Sequence, residues 1–216
     1  MPVRTRVALF YAVAVVVAGC GGPKEETTST PKPETHPLAG VAGQNIIIAP
    51  VQALRMPAEV GWPALPPSRP TLAHLDSIFA DTLKERVGNR GWVYADGVVR
   101  SAANNPQYAT DPRGLAVNSL RAPSLKIGDR LVEPLATQLR TMIALHDVRL
   151  VLVPTDLTIE RTPAGLGRPV VRLVLVDPRS SVVRWIGQVT GNDSPAFTSD
   201  IPAIIATRLA DLFAAK

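Results

Sequence analysis

The stretch Val171-Arg172-Leu173-Val174-Leu175-Val176-Asp177-Pro178-Arg179-Ser180-Ser181-Val182-Val183-Arg184-Trp185 reads as a β-hairpin. Aliphatic and β-branched side chains fill its first half, and the strand they predict runs from Pro169 to Asp177. Asp177 to Ser181 is turn chemistry, because Asp and Ser bond neighbouring amides and proline presets one backbone angle. Val182 to Thr190 then returns as the antiparallel partner. On the N-terminal side, Val148 to Thr158 predicts a further long strand. On the C-terminal side, Ser199 or Asp200 is expected to cap a last helix with Pro202 in its first turn. Ile204, Ile205, Leu209, Leu212 and Phe213 form the apolar face of that helix.

Farther upstream, Asn45-Ile46-Ile47-Ile48-Ala49-Pro50-Val51 is a short β-branched run ended by proline, read as a buried first strand. Residues 55–70 contain Pro57, Pro63, Pro66, Pro67 and Pro70 and read as an irregular loop. Thr71 looks like an N-cap, and Leu72, Leu75, Ile78, Phe79, Leu83 and Val87 recur at helical spacing up to Gly88 and Gly91. Trp92 to Ala95 and Val98-Val99 read as a second strand region, and the polar stretch 101–126 as mostly loop. Asp129 can cap a helix carrying Leu131, Leu135, Leu139, Met142 and Ile143, although Pro134 moves its start towards Glu133. The order of elements predicts an α/β (α+β) single domain over residues 45–216. Its mixed sheet would have about 4–5 strands with about three helices packed on it, the last one C-terminal.

The N-terminus has a different character. Arg4 and Arg6 precede an uninterrupted apolar run, Val7 to Val17, which ends in Val17-Ala18-Gly19-Cys20. A charged start, a short apolar core and small residues at the cut describe a secretory signal over residues 1–19. The run is too short to span a bilayer, which takes about 20 apolar residues. Cys20 is the single cysteine of 216 residues, so no disulfide forms within the chain and no thiol remains for metal or catalysis. Residues 21–44 are rich in Gly, Pro, Thr, Ser, Lys and Glu and read as a disordered tether, with His36 a solvated linker residue. Such a coil reaches roughly 25–30 Å.

Val17-Ala18-Gly19-Cys20 resembles the bacterial lipobox. That resemblance implies a diacylglyceryl thioether on Cys20, cleavage before it, and acylation, palmitate being typical, of the new amine. Two or more buried acyl chains make anchoring stable where one is marginal. The body has its own resemblance, carried by Ile46-Ile47-Ile48-Ala49-Pro50, by Val148-Arg149-Leu150-Val151-Leu152-Val153, and by the hairpin ending in Val182-Val183-Arg184-Trp185. It is similar to the periplasmic lipoprotein domains of the LpoB, CsgG and PelC kind, related in fold to the N-terminal domain of TolB. The resemblance implies a non-enzymatic envelope component: an activator of peptidoglycan synthesis or a subunit of an export assembly. Pore-forming relatives insert long alternating hairpins into the outer membrane. Here neither 55–70 nor 101–126 alternates over the ~9–11 residues a spanning strand needs, and both carry prolines.

The search for chemistry returns no catalytic residue, metal site or cofactor motif. His36, His74 and His146 lie far apart, and Gly165 and Gly167 precede a strand, so they mark a turn and not a phosphate cradle. His146 can meet the last carbonyls of its helix. Asp76 and Asp81 are read as a solvated helix face, and Asp156 and Glu160 as partly exposed strand positions. Trp92 and Trp185 read as strand packing. Trp62, between prolines, is the candidate partner-contact residue of a surface loop. The net charge of +5 falls to +3 without Arg4 and Arg6, and aromatics are 5%, which is no basis for nucleic-acid binding.

These readings converge on a lipoprotein held by Cys20, facing the periplasm from the outer membrane, that acts by contact with another envelope protein. The alternatives are a homo-oligomeric ring subunit of an export channel, and an enzyme or small-ligand binder revealed by a deep pocket with perturbed acids.

Overall fold

The computed structural model describes residues 36–62, 68–88 and 91–214. The expected signal segment, the expected lipobox at Val17, Ala18, Gly19 and Cys20, and most of the expected tether lie outside the described residues. The packed unit runs from Glu34 to Lys216.

Five strands form one mixed sheet: β1 (Ile46–Ile48), β2 (Leu54–Arg55), β3 (Leu150–Arg161), β4 (Gly167–Asp177) and β5 (Val182–Thr190). β1 and β2 follow one another along the same edge of β3, both parallel to it, with Ile47 opposite Val151 and Leu54 opposite Leu157. β3, β4 and β5 are antiparallel neighbours, and Leu175 stands opposite Trp185. The β4–β5 hairpin is the one its sequence predicts. The turn holds Asp177 Oδ1 against the amides of Arg179 (3.1 Å) and Ser180 (3.3 Å), which is why Asp stands there.

Alternation along the strands divides the core in two. Ile46, Ile48, Leu150, Leu152, Leu173 and Leu175 face α1 (Arg69–Val87) and α5 (Asp200–Phe213). Ile47, Val151, Val153, Val174, Val176 and Val183 face α2 (Ala95–Asn104), α3 (Asn118–Arg121) and α4 (Leu135–His146). Helices therefore cover both faces, the three-layer solution for strands apolar on both sides. α1 begins on Ser68, whose Oγ accepts from the Thr71 amide, with Pro70 in its first turn; the expected cap at Thr71 thus lies inside the helix. Gly88 ends α1 at φ +79°.

Two expectations are corrected and a third is refined. The supposed strand after Gly91 is a one-residue bridge, Val93 to Ile47, followed by α2. Ala95, Val98 and Ala102 are buried at helical spacing, a signal masked by aromatic and β-branched neighbours and by Gly97. The stretch 101–126 is mostly loop as expected, but it also holds the end of α2 and the short α3, and it buries Leu115, Val117 and Leu120. Residues 36–44 belong to the body and not to a tether. Leu38 is 2% exposed, its amide donates to Leu212 O (3.0 Å), and His36 Nδ1 lies 2.7 Å from Asp211 O. One well-placed leucine and the open carbonyls at the end of α5 are enough to dock this polar segment.

Candidate contact surface

Three acids predicted or expected at the surface, or left unread, prove to be buried and paired. Asp76 on α1 is 5% exposed; its Oδ1 accepts the Val51 amide (2.9 Å) and its Oδ2 the Arg113 guanidinium. Burial pushes its carboxyl up to about 6, against the lowering from the Val51 amide and from Arg113. Gln52 bonds Pro50 O, Pro112 O and the Leu115 amide beside this pair, so together they pin loop 105–117 to the end of β1. Asp81, on the same helix, is exposed near Lys84 as expected.

Asp156 sits at the irregularity of β3 and is 8% exposed. It takes Arg55 Nε (2.7 Å) on one oxygen and Arg121 Nε (2.8 Å) on the other. The shift in register beside Pro154 turns this side chain beneath α3, which strand alternation could not foresee. Arg172 opposite it caps α3 by donating to Leu120 O and Ala122 O. Glu160 is exposed.

The third acid organises a groove. Asp177, wholly buried at the end of β4, receives Arg149 Nε (3.0 Å) and Nη2 (2.9 Å) on Oδ2, and Arg184 Nη2 at 3.4 Å on the same atom. Burial opposes its ionisation, but the Arg149 hydrogen bonds and the Ser180 amide hold its carboxyl below the ordinary range. The Arg149 and Arg184 side chains are 58% and 47% exposed. They stand at the rim of a groove of about 280 Å³ between residues 37–44 and the start of β3 and β5. Leu38, Leu150, Leu175 and Trp185 give it an apolar floor. Trp185 lies across Gly187, where any side chain would collide with the indole.

The remaining sequence candidates fall elsewhere. Trp62 is 9% exposed, set edge-on to Phe197 at 6.1 Å and flat against Gly167, so its ring is part of the core and offers a partner little surface. Proline neighbours suggested a surface loop; the absence of a Cβ at Gly167, remote in sequence, leaves the room that the buried ring occupies. Residues 63–67 of that loop lie outside the described residues. Trp92 is buried as expected, donating to Gln44 O and meeting Phe213 edge-on at 4.7 Å. His146 does not reach the helix-end carbonyls. Its Nε2 is buried without a partner, and burial pushes the imidazole down towards the neutral form. The cleft beside it, between α2 and α4, has about 10 Å³, room for no more than a water. Among the described residues no group of three or more His, Cys, Asp or Glu could hold a metal ion, and no helix is long and apolar enough to cross a membrane.

No family model matches the chain, and no curated protein matches it. Solved structures do. A PelC dodecamer from Paraburkholderia phytofirmans is similar at 14% identity and TM-score 0.38, over 81% of this chain and 91% of that one. The LpoB C-terminal domain from Salmonella enterica is similar at 12% and 0.38, over 72% and 93%. E. coli LpoB is similar at 13% and 0.38, over 90% and 87%. Likenesses of this size carry no partner or activity across.

Proposed function

We propose that this chain is an envelope lipoprotein, anchored through lipid on Cys20, that works by binding another protein and not by catalysis. The anchor rests on Val17-Ala18-Gly19-Cys20 behind a charged and apolar leader. The contact role rests on how the charged groups are used. Asp76, Asp156 and Asp177 each pair with arginine from another element, so each ties parts of the fold together. Asp76, the acid whose carboxyl is pushed up by burial, lines neither the groove nor the cleft described above. What the fold presents outward is an apolar and basic groove.

Radiolabelled palmitate supplied to cells should enter the wild-type chain and not Cys20→Ser, and only the wild type should need detergent for release from membranes. In-cell crosslinking should then recover one reproducible partner. An unlabelled chain that washes off membranes would overturn the anchor, and a strictly monomeric chain without partner would overturn the contact role.

The second reading, self-association into a ring, is favoured by one observation. β5 is the last strand of the sheet, and past Val183 its outer edge pairs with no strand among the described residues. Such an edge can template a second copy. Light scattering decides: a stable oligomer of defined size favours this reading, and a monomer removes it.

A further inference from the structure

The groove beside Arg149 and Arg184 has a chemistry that names the kind of partner it takes. We propose that it docks an acidic segment of a partner protein. An aliphatic or aromatic side chain would rest on Leu150, Leu175 and Trp185, and a neighbouring carboxylate would sit between the two guanidiniums. The proposal rests on the reading of this chain as a contact protein and goes beyond it by fixing the surface and the charge of the occupant.

Charge complementarity is the first argument. Two guanidiniums share one carboxylate oxygen, so the rim carries one unit of positive charge in surplus, and among the described residues no acid lines the groove. A cationic segment would meet repulsion there. Nη1 of Arg149 and both Nε and Nη1 of Arg184 make no hydrogen bond among the described residues, which leaves donors for an incoming carboxylate.

Preorganisation is the second. Asp177 is held by the turn amides and holds the arginines in turn, so these long side chains lose little additional freedom on binding. Shape is the third. An open groove of about 280 Å³ with an apolar floor suits one or two side chains, the anchor arrangement of protein contacts. An anionic lipid surface calls for a cluster of roughly 4–8 basic residues and no pocket.

The test uses the full-length lipidated protein in phosphatidylcholine nanodiscs. Random dodecapeptides displayed on phage are selected against it, and the winners are synthesised with a fluorescent label. The expected winners pair Asp or Glu with Leu, Ile, Phe or Trp. Their affinity should fall about tenfold for Arg184→Gln and for Trp185→Ala, and stay unchanged for Arg208→Gln on α5. Arg184 makes the longer of the two contacts to Asp177, so its loss leaves the Arg149 bonds to Asp177 and the turn amides on its other oxygen. A melting curve for each variant checks that the fold survives. Winners lacking acids, winners indifferent to both groove variants, or no enrichment over bare nanodiscs overturn the proposal. So does Arg184-dependent binding to phosphatidylglycerol vesicles without peptide, which would assign the arginines to a lipid surface. In cells, a photocrosslinking residue at Gln44, on the rim, should capture the partner more efficiently than one at Arg208. Capture from Arg208 alone sinks the groove and spares the contact role; capture from neither position sinks both.

Discussion

Asp76 on α1 and Arg113 in the loop after α2 form an ion pair with only 5% and 11% of their side-chain surface in water. Its energetics are asymmetric, because desolvation offsets much of the attraction while removal of one partner strands the other. The carboxyl at about 6 lies above its ordinary 3.8, so the folded chain binds the Asp76 proton more tightly than the unfolded chain does. That contribution is fully present below the ordinary value and is lost as pH rises through about 6. Relative to Asp76→Asn, the wild type should lose up to about 3 kcal/mol between about pH 4 and about pH 6. Urea unfolding of both proteins across that window is the check, and parallel curves would show that Asp76 does not titrate there.

Asp177 has the opposite sign. Its folded-state pKa lies below the ordinary one, so its stabilisation exists above the ordinary carboxylate range and disappears as pH falls through the folded value. Asp177→Asn should cost about 2 kcal/mol at neutral pH, from the loss of charge-assisted bonds to Arg149 and Arg184. The cost should shrink in acid. Chemical unfolding at pH 7 and near pH 3 distinguishes this from a defect independent of pH.

Leu38→Ala should release the segment before β1. Leu38 is buried against the end of α5, and its truncation should cost about 2–3 kcal/mol. Limited proteolysis should then cut within residues 36–44 while the far-ultraviolet circular dichroism stays native. Resistance equal to the wild type would mean that this docking contributes little.

Gly187→Ala should dislodge Trp185. A Cβ at this position would overlap the six-membered ring of the indole, which must rotate away from the groove floor. A red-shifted Trp185 emission is expected, read against a Trp185→Phe background, with a stability loss of about 1–3 kcal/mol. An unchanged spectrum would mean that the backbone moves instead.

Local chemistry is legible where neighbours in sequence are neighbours in space. The β4–β5 hairpin, α1 with its stripe of Leu72, Leu75, Phe79 and Leu83, and the helix ending at Phe213 all satisfy their own hydrogen bonds or period. α2 was obscured because aromatic and β-branched residues favour strand while the fold demands helix; tertiary burial of Val98 and Ala102 decided it.

The sequence by itself determined the mixed sheet with its C-terminal helix, and the reading of a leader and lipobox around Cys20 rests on it alone. Those are patterns of composition and period, readable within a dozen residues. Only the tertiary structure decided the fate of individual charges and aromatics. It buried Asp76 and Asp156, drew Trp62 inward over Gly167, and set Arg149 and Arg184, 35 positions apart, on one oxygen of Asp177. The physical reason is that desolvation and pairing depend on which distant elements meet, and strand register with its irregularities, not local propensity, determines that meeting.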